Sequence, residues 1–587
     1  MIDDLSILSL HQLYRDEALT PGELVAALRE RIEASDPKIW IALTPDDRME
    51  SILRRLETES PDSLPLYGVP FAIKDNIDLG GTPTTAACPN YAFTPDKDAT
   101  VVSLLIEAGA IPMGKTNLDQ FATGLVGVRS PYGVPENPFN GEFIPGGSSS
   151  GSAVAVARDL CTFSLGTDTA GSGRVPAGLN ELVGLKPSFG RLSCSGVVPA
   201  CRSLDCVSIF SKIAADAKTV FDVAAAFDSA DAYSREPDQT PWFPADAFTF
   251  GVPRADQLKF FGNKEAEHLF AEAVARLESL GGTQVEIDFS AFLEAALLLY
   301  EGPWVSERYA AIQGFIEEQP ESLFPVTEAI ISGGGAPKAV DAFRAQYRLR
   351  ALKQRADALM ATLDLIVTPT AGTAYTVAEV EADPVALNSN LGYYTNFMNL
   401  LDLSACAVPA GRLAGSGMPW GITLVGPAFA DHALLTLADR FAGTDNLPLE
   451  PPAEWIEIVV CGAHMRGLPL NHQLTDRGAR FVSEAQTASC YQLLALPPEH
   501  GLPPRPGLIR RPEEDEVGNT IEIEIWTLPA SKLGSFVAAV PPPLGFGKVR
   551  LNDNRLLTGF LCESEVPEES VDITPLGGWR NYLNQQT

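Results

Sequence analysis

Gly146-Gly147-Ser148-Ser149-Ser150-Gly151-Ser152, running into the small apolar stretch Ala153 to Ala157, is the densest use of glycine and serine in the chain. Such a loop packs unhindered backbone N–H groups and hydroxyls into one turn, which suits gripping an anion or a developing oxyanion. Alone it reads equally well as a flexible serine-rich connection. A second loop shifts the balance: Gly166-Thr167-Asp168-Thr169-Ala170-Gly171-Ser172-Gly173-Arg174-Val175-Pro176. Small residues again surround one serine there, so successive N–H groups can approach a carbonyl closely. Upstream, Phe71-Ala72-Ile73-Lys74-Asp75-Asn76 ends an apolar run on a lysine, where desolvation would lower the pKa and free a neutral amine to act as base. Serine needs a base, usually histidine. The six histidines stand at 11, 268, 432, 464, 472 and 500, none between residues 12 and 267. Serine with lysine is the economical alternative.

Around these loops, helices and short apolar strands alternate as far as residue 445, which predicts an α/β layered domain on a mixed sheet. Residues 5 to 35 read as helical, and Thr20-Pro21-Gly22-Glu23 opens a second helix with a capping box. Asp98 is expected to cap a helix whose apolar positions are Val101, Leu104, Leu105 and Ala108. Ala110 to Met113 and Leu365 to Thr368 read as strands. Gly109-Ala110-Ile111-Pro112-Met113-Gly114-Lys115-Thr116 matches the phosphate-binding P-loop pattern at every fixed position. Its context is wrong, because a helix precedes it and Pro112 removes a cradle donor. The proline-rich stretch 447–454 is expected to be a linker between a domain at 1–446 and another at 455–587. Beyond it the apolar period becomes two, at Trp455 to Val460 and Thr520 to Trp526, and Lys548 to Leu551 with Leu556 to Phe560 form a hairpin around Asn552-Asp553-Asn554. The second domain is therefore expected to be β-rich.

Of the 587 residues, 45% are apolar and 20% charged, which fits a globular enzyme and not a disordered chain. The formal net charge of −32 repels phosphate backbones and anionic lipid. A small anionic substrate would need a placed arginine. The nine cysteines form no CxxC pair, and the acidic start Met1-Ile2-Asp3-Asp4 lacks a signal-peptide pattern. Both suggest a reducing, cytoplasmic setting.

Lys74, the two loops and the later Gly184-Leu185-Lys186-Pro187-Ser188-Phe189-Gly190, in that order, resemble the amidase signature family over roughly residues 20 to 440. The resemblance implies an amidase-signature fold and a triad in which Ser172 is the nucleophile, Ser148 relays protons from a cis peptide and Lys74 is the base. It implies an oxyanion hole of backbone N–H groups from Thr169, Ala170, Gly171 and Ser172, with no metal and no cofactor. Two positions depart from the family's common form: Ala170 replaces a glycine and Gly173 a bulkier apolar residue. Asp168 and Arg174 read as an ion pair that holds the loop.

Tyr300-Glu301-Gly302-Pro303-Trp304-Val305-Ser306-Glu307-Arg308-Tyr309 offers a candidate cation, since an arginine fork can hold a carboxylate bidentately. The alternative is a surface helix whose arginine pairs with Glu301 or Glu307. This stretch and Cys461-Gly462-Ala463-His464-Met465 are similar to the branch of the family that hydrolyses allophanate (urea-1-carboxylate) in urea degradation. That similarity implies substrate binding by Tyr300, Arg308 and the backbone of Gly124, a homodimer, and urea carboxylase as functional partner. It also implies a second stage in which the C-terminal domain, loosely similar to the γ-glutamyl cyclotransferase-like fold, assists decarboxylation. His464 is the candidate base there and His472 the reserve; either could equally be structural. Biuret is the alternative substrate.

Overall fold

The computed structural model describes residues 4–237, 240–448, 455–498, 504–511 and 519–586. Two compact units emerge, Met1–Pro237 with Ala245–Pro448, and Asp238–Pro244 with Leu449–Thr587. Positions 449–454 of the expected linker, and Met1 to Asp3 of the acidic start, lie outside the described residues.

The first unit is built on one mixed sheet: β1 (Trp40–Leu43), β2 (Pro70–Lys74), β3 (Ile111–Thr116), β4 (Phe163–Asp168), β5 (Val183–Lys186), β6 (Cys206–Ser211), β7 (Phe248–Pro253), β8 (Gly282–Ile287), β9 (Leu365–Pro369), β10 (Leu403–Arg412) and β11 (Pro419–Pro427). Their spatial order is β1-β3-β2-β4-β6-β5-β10-β11-β9-β7-β8. At its heart β2, β3 and β4 are buried at every residue, as strands covered on both faces must be. β2 runs parallel to both β3 and β4. Lys74 and Asp168 therefore leave the sheet at the same edge, the carboxyl ends of parallel strands, where α/β folds place their sites. The helix Ser150–Ala157 is buried from Ser150 to Val156; its small side chains let it lie close to the sheet.

Two local expectations meet different outcomes. Thr20 and Glu23 form the complete capping box. Asp98 does not cap the helix Thr100–Glu107, whose first turn has no side-chain cap. Its carboxylate instead accepts from Arg48 at 2.7 Å and from the Gly80 N–H at 2.8 Å, so a tertiary ion pair outcompetes the local cap. The P-loop-like segment is strand β3, and its Lys115 pairs with Asp75 at 3.1 Å with both side chains fully buried. That lysine is committed to the core.

The second unit contains a five-stranded sheet in the order Arg480–Gln486, Glu522–Pro529, Trp455–Val460, Leu556–Cys562, Leu544–Arg550, and a three-stranded one of Arg505–Arg510, Tyr491–Leu496 and Val571–Asp572. The hairpin expected around residues 552–554 is present, with Asn554 at φ +71° completing its turn. A piece remote in sequence joins this unit: Trp455 donates from Nε1 to the Thr240 carbonyl at 2.8 Å, and its ring meets that of Trp242. Among the described residues no helix is long and apolar enough to cross a membrane.

Candidate active site

Lys74, the last residue of β2, is completely buried. Its Nζ donates to Ser148 Oγ at 2.8 Å and to Thr167 Oγ1 at 2.7 Å. Burial pulls its pKa down to about 7, against the opposing pull of Asp119, Asp168 and Asp205. A large fraction of the amine is thus neutral near neutral pH, and a neutral amine can accept a proton. Ser148 follows a cis peptide bond from Gly147, and its carbonyl accepts from the Asp119 N–H at 3.0 Å. Asp119 in turn gathers the N–H groups of Val126, Gly127 and Arg129. Asp119 thereby ties the Ser148 peptide, through its N–H, to the 126–129 segment, through its carboxylate.

Ser172 lies in the turn between β4 and the helix Val175–Leu179. Its Oγ donates to the Gly124 carbonyl at 3.4 Å, a long bond, and no hydrogen bond joins it to Ser148 among the described residues. The nucleophile candidate therefore faces Gly124 at rest. The turn is held by Asp168, whose carboxylate takes Arg174 at 2.8 Å through both Nε and Nη2 and also accepts the N–H groups of Gly171 and Gly173. Burial raises the Asp168 pKa, but Arg174 outweighs it and holds the carboxyl below its ordinary range. The ion pair read from the sequence is present. Since Gly171 gives its N–H to Asp168, it is withdrawn from the expected oxyanion set; the N–H groups of Thr169, Ala170 and Ser172 have no acceptor among the described residues.

The pair makes a stability prediction. Arg174→Ala leaves Asp168 charged, buried and unpaired, and is expected to cost about 3–5 kcal/mol in urea denaturation of the whole chain. A loss below about 1 kcal/mol, the range of surface ion pairs, would refute the structural role.

The glycine at 173 has a steric reason. A Cβ there would stand 2.5 Å from Cβ of Ser208 on β6, so the bulkier residue of the family's common form has no room. Gly171, at φ +132°, brings the backbone against Thr395, whose hydroxyl donates to the Ala170 carbonyl at 2.7 Å. Asn399 donates to the Asp168 carbonyl at 2.8 Å, and Asp205 accepts from the Thr169 hydroxyl and from the Cys201 N–H. Thr167, Asp119, Asp205, Thr395 and Asn399 were not anticipated from the sequence. The first could have been found from its place in the loop; the others reach the site only through the fold. In the third motif, Ser188 gives its N–H and hydroxyl to Asp431 at 2.7 and 2.8 Å, a packing role.

Arg308 sits on the helix Trp304–Glu318 and is 3% exposed. Nη1 makes two long contacts, 3.4 Å to the Ala122 carbonyl and 3.3 Å to Thr123 Oγ1. Neither glutamate expected to pair with it does so: Glu307 accepts from the Ser203 N–H and hydroxyl at 2.7 Å each, and no carboxylate lies within 4 Å among the described residues. Burial opposes its charge, but Cys201, Tyr300 and Asp205 keep it protonated above the ordinary range. Tyr300 lies in the last turn of the helix Ser290–Glu301 and lines a cavity of about 390 Å³ with Arg129, Val305 and Asn388. Arg129 holds the Thr123 carbonyl at 2.9 Å, so Arg129 and Arg308 both grip the residue before Gly124.

In the second unit His464 Nε2 shares a 3.0 Å hydrogen bond with Gln473, and its ring stacks on Phe560. Burial lowers its pKa. His472 is exposed, bonded through Nδ1 to the Pro469 carbonyl at 2.9 Å.

Comparison with known proteins matches residues 23–435 to the Amidase family and residues 456–584 to the allophanate hydrolase C-terminal domain. Urea amidolyase of Saccharomyces cerevisiae is 44% identical over 575 residues, 93% of this chain and 31% of that protein. The chain thus spans about a third of the length of that relative. A glutamyl-tRNA(Gln) amidotransferase subunit of Geobacter metallireducens is 33% identical over 482 residues, 75% of this chain and 96% of the relative. Among solved structures, Kluyveromyces lactis allophanate hydrolase superposes with a TM-score of 0.79 at 40% identity, covering 99% of both chains. With the family's pattern extending over residues 23–435, most of its length, the chain belongs to the amidase family.

Proposed function

We propose that this chain hydrolyses allophanate, with Ser172 as nucleophile, Ser148 as proton relay and Lys74 as base. The observation that carries the substrate is Arg308: a buried guanidinium without a carboxylate partner among the described residues, one residue away from the Gly124 carbonyl that Ser172 faces. A buried unpaired cation is destabilising, and a substrate carboxylate in this place would complete it. The similarity to allophanate hydrolase and urea amidolyase supports the same substrate.

In the mechanism we envisage, Arg308 and Tyr300 hold the carboxylate and the Gly124 backbone the urea end. Neutral Lys74 withdraws a proton through Ser148 as Ser172 Oγ attacks the urea carbonyl. The open N–H groups of Thr169, Ala170 and Ser172 receive the oxyanion. The proton held on Lys74 returns through Ser148 to the leaving nitrogen, ammonia departs, and water cleaves the acyl ester. The product is an N-dicarboxylated amine, which on losing carbon dioxide leaves carbamate. His464, which burial keeps neutral, is the candidate base for that second stage in the C-terminal unit. A biotin-dependent urea carboxylase is the functional partner that would supply the substrate.

Arg308→Gln tests this reading. Removing one side of a buried charge-assisted contact costs about 3 kcal/mol, so kcat/KM for allophanate is expected to fall on the order of 10²-fold, with neutral biuret scarcely affected. Equal losses on both substrates, or none, would exclude Arg308 as the carboxylate anchor and leave a neutral small amide as substrate.

A further inference from the structure

We propose that Arg129 and Asn388 are positioning residues for Gly124, clamping the backbone on both sides of it so that its carbonyl meets Ser172 and the substrate in one fixed orientation. Arg129 is 1% exposed. Its backbone closes the loop that carries Gly124: the N–H donates to Asp119 at 2.9 Å, and the carbonyl accepts from the Gln120 N–H at 2.8 Å. From this base the guanidinium reaches back into the loop. Nη1 donates to the Thr123 carbonyl at 2.9 Å and Nη2 to the Pro384 carbonyl. On the other side of Gly124, the Leu125 N–H donates to Asn388 Oδ1 at 2.8 Å. Asn388 belongs to the short helix Ala386–Leu391 and is 6% exposed. Both neighbours of Gly124 are therefore tied to the 384–388 segment, Thr123 through Arg129 and Leu125 directly.

Gly124 itself has no slack. A Cβ on it would stand 2.5 Å from Asp119 Oδ2 and 3.2 Å from Arg129 Cδ, and the N–H of that same Asp119 holds the Ser148 carbonyl. One packed unit thus joins the Gly124 carbonyl that Ser172 faces to the peptide of Ser148. Arg129 is a costly way to hold two carbonyls. Its Nε is buried without a hydrogen-bond partner among the described residues, and burial lowers its pKa. An apolar side chain would fill the space without burying a charge, but it could not give one donor to each of two carbonyls from separate segments. Arg129 and Asn388 also line the same cavity as Tyr300, so the clamp borders the proposed substrate site.

The clamp rests on these contacts; its effect on turnover rests on the function proposed above. A misplacement of about 1 Å in a reacting site costs on the order of 10²-fold. In Asn388→Leu and in Arg129→Met, kcat for allophanate, counted per folded molecule by circular dichroism, is therefore expected to fall on the order of 10²-fold, with KM changed less than about threefold. Because both side chains hold one stretch of backbone, the double variant is expected to lose no more than the worse single one. A loss confined to KM, losses that multiply, or kcat near the wild-type value in either single variant would overturn the positioning role. Asn388→Leu alone decides it if Arg129→Met does not fold. The geometry is read without substrate, by hydrogen–deuterium exchange of the peptide containing Leu125 in the full-length chain. Exchange at Leu125 is expected to quicken about tenfold or more in both single variants and to stay near the wild-type rate in Asn388→Asp, which keeps an acceptor for that N–H. Equal exchange in the wild type and in Asn388→Leu would overturn the clamp. If the wild-type chain releases no ammonia from allophanate, the function proposed above falls, and the exchange result still decides the clamp.

Discussion

Replacing Ser172 by alanine is expected to lower kcat for ammonia release from allophanate by on the order of 10⁴-fold or more, with little change in stability. The hydroxyl makes one 3.4 Å hydrogen bond in the resting protein, so its removal leaves packing and the Asp168–Arg174 pair untouched. What disappears is the atom that would carry the acyl group. The relay and base remain joined to each other at 2.8 Å, but with no nucleophile to deprotonate they have no function. Steady-state ammonia assays and thermal melts on the same preparation check both halves. A variant retaining more than about a hundredth of wild-type turnover, far above the residue expected after losing a nucleophile, would move the chemistry elsewhere.

Lys74→Met is expected to be comparably inactive and more stable. The amine must be neutral to act as base, so wild-type kcat/KM should rise with pH and level off above a midpoint near 7, where burial has placed the lysine; no such limb survives in Lys74→Met. Stability follows from the same shift. The unfolded chain binds this proton up to a pKa of about 10.4, whereas the folded one releases it near 7, so between those values the unfolded state holds more protons and folding gains stability as pH rises. Below about 7 the folded protein must keep a buried charge, which is the penalty the methionine removes. The melting temperature of Lys74→Met at neutral pH is expected to exceed that of the wild type, the trade of stability for activity common at catalytic sites. A lower melting temperature would indicate that the bonds to Ser148 and Thr167 outweigh desolvation.

The parts legible in the sequence were those set by local chemistry. Thr20 and Glu23 announce a helix start because their reciprocal hydrogen bonds span three residues. Lys74 could be expected to lose its proton because the apolar run before it becomes the buried strand β2. Asp98 misled for the opposite reason: Arg48, fifty residues earlier, claims its carboxylate. The same limit hid the supports of the nucleophile loop. Thr395 and Asn399 lie more than 220 residues beyond Ala170 and Asp168, and nothing in their own neighbourhood marks them. The 240–244 segment joins the second unit through Trp242 and Trp455, a pairing that no composition shift at residue 447 could indicate. Arg308 falls between: its side chain was a visible candidate, but only the fold shows Glu307 turned to Ser203 and the guanidinium without a carboxylate partner among the described residues.

The central claim, acyl transfer through Ser172, is tested most directly by rapid acid quench of the wild-type chain with allophanate labelled at its urea carbonyl, followed by peptide mass spectrometry. Cleavage at Arg158 and Arg174 separates the Ser172 peptide from the one carrying Ser148. The account predicts label on the Ser172 peptide during the first turnover and none in Ser172→Ala. Label on the Ser148 peptide, or ammonia release that persists in Ser172→Ala, would contradict it.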